Sequence, residues 1–176
     1  GEKYGLHLLC SFSNELPSAW ITPQGKWLGG YIPAIIRQKP FTIQPNEEGK
    51  RIVCVDEDSP RLGDAGSPLF EDGESTEFLK KWIDFLEQLY LNGVATQKAT
   101  DLIASFDLMV PWELKIRKSE DQEATSIQGI YRVDEGKLNA LDDEQWLTLR
   151  KAGAMALIYG QLLSMGHLGK LAQILK

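Results

Sequence analysis

Apolar positions change their spacing several times along the chain, and each change predicts a different element. Residues 6–12 (LHLLCSF) form a short, nearly unbroken apolar run that stops at Ser13-Asn14-Glu15, the signature of a buried strand. Residues 21–27 (ITPQGKW) read as a strand pair around a Pro-Gln-Gly turn. Pro33 suits the first position of a short helix, where its missing N–H costs nothing. Ile32, Ile35 and Ile36 would then share a face, and Pro40 would end the turn by biasing Lys39 away from helical geometry. Residues 41–44 and 51–56 flank a polar loop containing Gly49 and predict a hairpin. An irregular acidic stretch follows from 57 to 74, with Leu69-Phe70 as a small apolar anchor; loops of this length inside a domain are usually functional or mobile.

Helical spacing governs most of the remainder. Ser75 or Thr76 can cap a helix carrying Phe78, Leu79, Trp82, Ile83, Phe85, Leu86, Leu89 and Tyr90, with Asn92-Gly93 as its stop. A second, shorter helix begins at Thr96 and carries Ala99, Leu102, Ile103 and Phe106, and Pro111 closes the region. Residues 112–118 and 125–134 read as strands joined by a charged loop. Asp142 and Gln145 stand at capping-box spacing, and Leu141 can staple onto Trp146. That helix is expected to run towards Gly166, with Leu149, Ala152, Ala156, Tyr159, Leu162 and Leu163 on its apolar stripe. Ala156, Gly160 and Ser164 are small residues four apart, where another element could approach closely, and residues 168–175 make a short terminal helix. Without strict β–α alternation, the expected class is α+β: a mainly antiparallel sheet of four to six strands, two longer helices and several short ones. No linker or repeat divides the 176 residues, so one domain over 1–176 is expected.

Composition acts mainly by exclusion. A charge of −6, from 19 basic and 25 acidic side chains, argues against nucleic acid as a partner. Residues 152–166 are too short and too amphipathic for a membrane span. Two cysteines are too few for a disulfide scaffold; Cys10 and Cys54 lie in apolar runs and read as buried free thiols, a bond between them being the alternative. The visible chain points to the cytoplasm.

Catalytic signatures are missing. Phosphate-binding glycine loops are absent, and no serine sits in a G-x-S-x-G elbow. His7 reads as a core residue of the first strand, and His167 sits at a helix end. Acidic residues 56–58 with Asp64, Glu71 and Asp72 lack calcium-loop spacing and read as a solvated loop. Asp56 and Asp134 each end a strand, either as an acid/base pair or as cap and turn acceptors. No catalytic residue, metal or cofactor is therefore assigned. The densest concentration of unusual side chains is Trp20, Trp27, Tyr31, Arg37, Lys39 and Phe41. Rings beside a guanidinium make ligand walls or interface hot spots; otherwise the rings are core and Arg37 pairs with an acid.

The same segment, GKWLGGYIPAIIRQKPF (25–41), resembles the bacterial SapC family, proteins associated with surface layers. The family shows G-[KR]-W, Y-[IV]-P-A, an Arg and then P-F at comparable spacing. IVCVDED from Ile52, SPLFEDGEST from Ser67, GIYRVDEGKLNAL from Gly129 and LRKAGAMALIYGQLLSMGHLGKL from Leu149 agree in order, so the likeness covers nearly the whole chain. Members typically carry further N-terminal residues, and this chain is expected to begin after them. The name is shared with an unrelated peptide-transport permease, from which the absence of membrane spans separates it. The resemblance implies a link to surface layers, which protect bacteria from serum killing, and hence a place at the cell surface. It implies no reaction, cofactor or catalytic residue.

The leading expectation is a non-enzymatic, SapC-like accessory protein of surface-layer biogenesis or attachment. It would offer Trp27, Tyr31, Arg37, Lys39 and Phe41 to a protein, peptide or glycan partner, surface-layer components included. The rival is an enzyme, or the binding subunit of a modifying enzyme, using Asp56, Asp134 or Arg37. A third reading is a homo-oligomer packed through an apolar helical face.

Overall fold

The computed structural model describes residues 3–11, 18–116 and 125–169, and its helices and short antiparallel strands make the chain α+β. Two compact units emerge, Gly29–Val94 and a second built from Gly1–Leu28 with Ala95–Lys176.

In the Gly29–Val94 unit, Pro33 is the N-cap residue of helix α1 (Ala34–Arg37), which starts one place later than expected, and a cis Lys39–Pro40 bond follows the turn. Ile32 and Ile35 are exposed, because a single helical turn is too short to lay a continuous stripe on anything. The hairpin forms as anticipated. Strand β1 (Phe41–Pro45) pairs antiparallel with β2 (Arg51–Val55), Phe41 opposite Val55 and Pro45 opposite Arg51. Asn46 shapes the turn, its Oδ1 accepting from the N–H groups of Glu48 and Lys50 at 3.1 and 2.8 Å. The acidic stretch contains a second, minimal hairpin, β3 (Phe70–Glu71) with β4 (Glu74–Ser75). Its turn, Asp72-Gly73, takes left-handed geometry at both positions, as two-residue hairpin loops require. Phe70 is 60% exposed, so the expected Leu69-Phe70 anchor is not one; a two-residue ladder gives the ring no second layer to enter.

Helix α2 (Glu77–Ser105) is capped by Thr76, whose Oγ1 accepts from the Leu79 N–H at 3.2 Å. The stop expected at Asn92-Gly93 does not occur, and the two anticipated helices are one of 29 residues. A mid-helix glycine costs about 1 kcal/mol, whereas stopping there would create two more helix ends with unpaired backbone groups.

The other unit holds the main dry interior: Ala99, Ile103, Leu108, Val133, Leu138, Leu149, Ala154 and Ile158, none more than 5% exposed. The strand expected at 125–134 divides in two, while that expected at 112–118 shortens to 114–116 and an unexpected strand precedes it. Strand β5 (Met109–Pro111) pairs with β8 (Tyr131–Val133), and β6 (Leu114–Ile116) with β7 (Thr125–Ile127). The Trp112 N–H donates to the Ile130 carbonyl, yet Leu114 faces Ile127, so one side carries an extra residue. Gly129, at φ +79°, lies in this bulge, beside a cavity of about 300 Å³ bordered by Trp112 and Ile127. Among the described residues the strands thus pair two by two, in four separate ladders, where one sheet of four to six strands was expected.

Helix α3 (Glu135–Asn139) is capped by Asp134, and α4 (Asp143–Lys151) opens on the expected capping box of Asp142 and Gln145. Gly153, at φ +73°, then breaks the anticipated long helix, and α5 (Ala154–Met165) starts anew. The break rotates the buried stripe onto Ala154 and Ile158. Ala152, Ala156, Tyr159 and Leu163, expected inside, are exposed. Nothing lies within 4 Å of a Cβ built on Gly160, so among the described residues no element approaches the small-residue row.

The opening segment is also corrected. Residues 6–11 form no strand, and Leu6, His7 and Leu8 are exposed, since this apolar run finds no partner strand. Single bonds hold it: Trp20 Nε1 donates to the Leu9 carbonyl at 3.0 Å and the Ala19 N–H to the Cys10 carbonyl at 2.8 Å. Residues 21–27 reduce to one bridge, Ile21 with Trp27. Cys10 and Cys54 are free and half-buried. Phe12, the charged loop and residues 170–175 of the terminal helix lie outside the described residues. Among those described, no helix is long and apolar enough to cross a membrane.

Candidate functional site

Arg37 ends α1, and the turn begun at Pro33 carries it back towards Tyr31. Its Nη2 donates to the Tyr31 hydroxyl at 2.7 Å, and its Cζ lies 5.0 Å from the Tyr31 ring centroid. Phe85 of α2 closes the frame, with its ring centroid 5.2 Å from the same carbon. The described ion pairs do not include Arg37, so aromatic rings hold it in place of an acid. Cation–π contacts of this exposed kind contribute about 0.5–1 kcal/mol each. A guanidinium has five N–H donors, so bonding to Tyr31 leaves others for water or a ligand. Tyr31 itself is 64% exposed.

Phe41 is the foundation. It is 5% exposed and packs on Trp82 at 5.4 Å, and Trp82 meets Phe85 edge-on at 5.6 Å. Lys39 is exposed, and its carbonyl accepts from Arg61 Nη1 at 2.8 Å, which ties down the turn before β1. Trp27 falls in the other unit, stacked on Trp20 at 6.0 Å with 23° between planes. The aromatic belt of the sequence therefore divides into an indole pair in one unit and a guanidinium platform in the other.

Sequence reasoning missed Phe85 and Arg61. Phe78, Trp82 and Phe85 repeat at helical spacing among other apolar residues, which hides the ring that Arg37 uses. Arg51 is held in similar fashion, 3.6 Å from Glu87 and 5.8 Å from the Tyr90 ring.

Acidic groups surround the platform in the sequence, since nearly all of the chain's acidic excess falls between residues 29 and 94. Among them, Glu77 is held below its ordinary pKa by its hydrogen bond to Lys80 and by that ammonium's charge. Asp134 serves as a cap, accepting from the Lys137 N–H at 3.0 Å, and this bond chiefly lowers its pKa. A general base of the kind considered above would need the opposite shift. Asp56 belongs to the other unit, where its N–H donates to the Pro40 carbonyl at 2.9 Å. Among the described residues, no group of three His, Cys, Asp or Glu side chains could hold a metal ion.

The family model described as SapC matches residues 7–171. No curated protein and no solved structure gives a significant match.

Proposed function

Since the chain belongs to the SapC family, we propose that it is a non-enzymatic accessory protein of the bacterial surface layer, binding a protein, peptide or glycan partner. The platform of Tyr31 and Arg37 receives an anionic group of that partner, a carboxylate or phosphate oxygen. Lys39 adds a second cation along the chain, and Phe41 supports the rings through Trp82. One observation carries this reading: an exposed guanidinium held by two rings, with no ion pair to an acid among the described residues. A framed guanidinium loses less side-chain freedom on binding than a free one, which favours its use as an anchor.

The test is recovery from the native cell after crosslinking, comparing the natural chain with Arg37→Ala and Arg37→Lys. Surface-layer components enriched with the natural chain and lost with both variants would support the proposal. A neighbour set dominated by cytosolic enzymes, or one indifferent to Arg37, would overturn it.

A further inference from the structure

We propose that the outer edge of β2 pairs with β2 of a second copy of this chain, antiparallel about a twofold axis at Val53. Two hairpins then form one four-stranded sheet. The ladder fixes which backbone groups are available. Asp56 N–H donates to the Pro40 carbonyl and Asn46 N–H to the Lys50 carbonyl, at 2.9 and 2.8 Å. The register between those bonds is unbroken, and hydrogen-bonded positions alternate in an antiparallel pair. Ile52 and Cys54 therefore turn their N–H and C=O groups towards β1, while Arg51, Val53 and Val55 turn theirs outward. Among the described residues, no backbone hydrogen bond beyond the ladder reaches these three.

The two edges of the hairpin differ. On β1, the Phe41 N–H is already given to Gln38 and Pro45 has none to give. The β2 edge has no proline and no bulge, Val53 and Val55 on it are exposed, and its charges lie only at the ends, so its middle is open to pairing. The sequence of this edge answers itself. With Val53 opposite Val53, Arg51 meets Val55, Ile52 meets Cys54, and Lys50 meets Asp56, each twice by symmetry. This register pairs every residue of β2 and sets opposite charges at both ends, where cross-strand ion pairs stabilise. Lys50 has an exposed contact with Glu48 at 3.0 Å, a weak competitor. A foreign strand would need an acid at one end and a base at the other, whereas a second copy brings both.

Sedimentation velocity of the full chain over a range of concentrations tests this. The natural chain is expected to dimerise with concentration. Lys50→Glu and Asp56→Lys should each weaken the dimer by about tenfold, and the double variant should restore it because opposite charges face again. Oxidation supplies the register: in a Cys10→Ser background, Ile52→Cys should give a disulfide-linked dimer through Cys54 of the other copy. Facing non-hydrogen-bonded positions, about 4.5 Å apart at Cα, permit that bond. A natural chain that stays monomeric at every concentration, a double variant no tighter than the singles, or failure of the crosslink would overturn the proposal.

Discussion

The two units use their apolar residues differently. In the larger unit, eight residues from α2, β8, α3, α4, α5 and the Leu108 turn close a continuous interior. In Gly29–Val94, Pro40, Phe41, Leu79 and Leu86 are buried, while Tyr31, Ile35, Ile52, Val53, Phe70 and Phe78 are all exposed. Exposed apolar residues scattered singly mean little, whereas several in one small unit set it apart from the unit with the dry interior. One unit closes its main apolar residues into an interior, and the other leaves most of its large apolar side chains at least partly in solvent.

Mutation should separate the two most strongly at the interior. Leu149→Ala or Ile158→Ala should destabilise by about 2–5 kcal/mol in urea unfolding. Val53→Ala or Ile52→Ala, measured on the monomer, should cost under about 0.5 kcal/mol. Comparable losses would break the comparison. Next in size comes the helix entrance: Asp142→Ala should cost about 1 kcal/mol, and Asp142→Ser should keep most of it, read from the same unfolding curves. Acid then acts on Asp134. Its folded pKa lies below its unfolded value of about 3.9. Its contribution is therefore present above the unfolded pKa and lost as pH falls through the folded one. Asp134→Asn should flatten the stability slope in that acidic window and leave neutral pH little changed, which unfolding at stepped pH would reveal. Arg37→Ala should cost about 1 kcal/mol or less of stability, although partner recovery should collapse.

How legible this was in the sequence depended on the range of the interaction. Local chemistry could be read directly: the Asp142–Gln145 box, the Thr76 cap and the 41–56 hairpin all depend on residues within a few positions of each other. Errors arose where distant packing or one backbone angle decided. Gly93, which looks like a stop, is an interior helix residue, while Gly153, embedded in an apparently continuous stripe, is the true break. Residues 6–11 have the composition of a strand and lack only a partner, which no local pattern records. At the platform, Tyr31 and Arg37 were visible because they are neighbours, and Phe85 was not, because helical spacing gives a core ring and a site ring the same signature.

Photocrosslinking in the native cell compares the two units most directly, with a photoreactive phenylalanine placed at Tyr31 in one strain and at Tyr159, an exposed tyrosine of the larger unit, in another. The account predicts discrete protein or glycan adducts from position 31 and background alone from position 159. Equal yields, or adducts from 159 only, would contradict it.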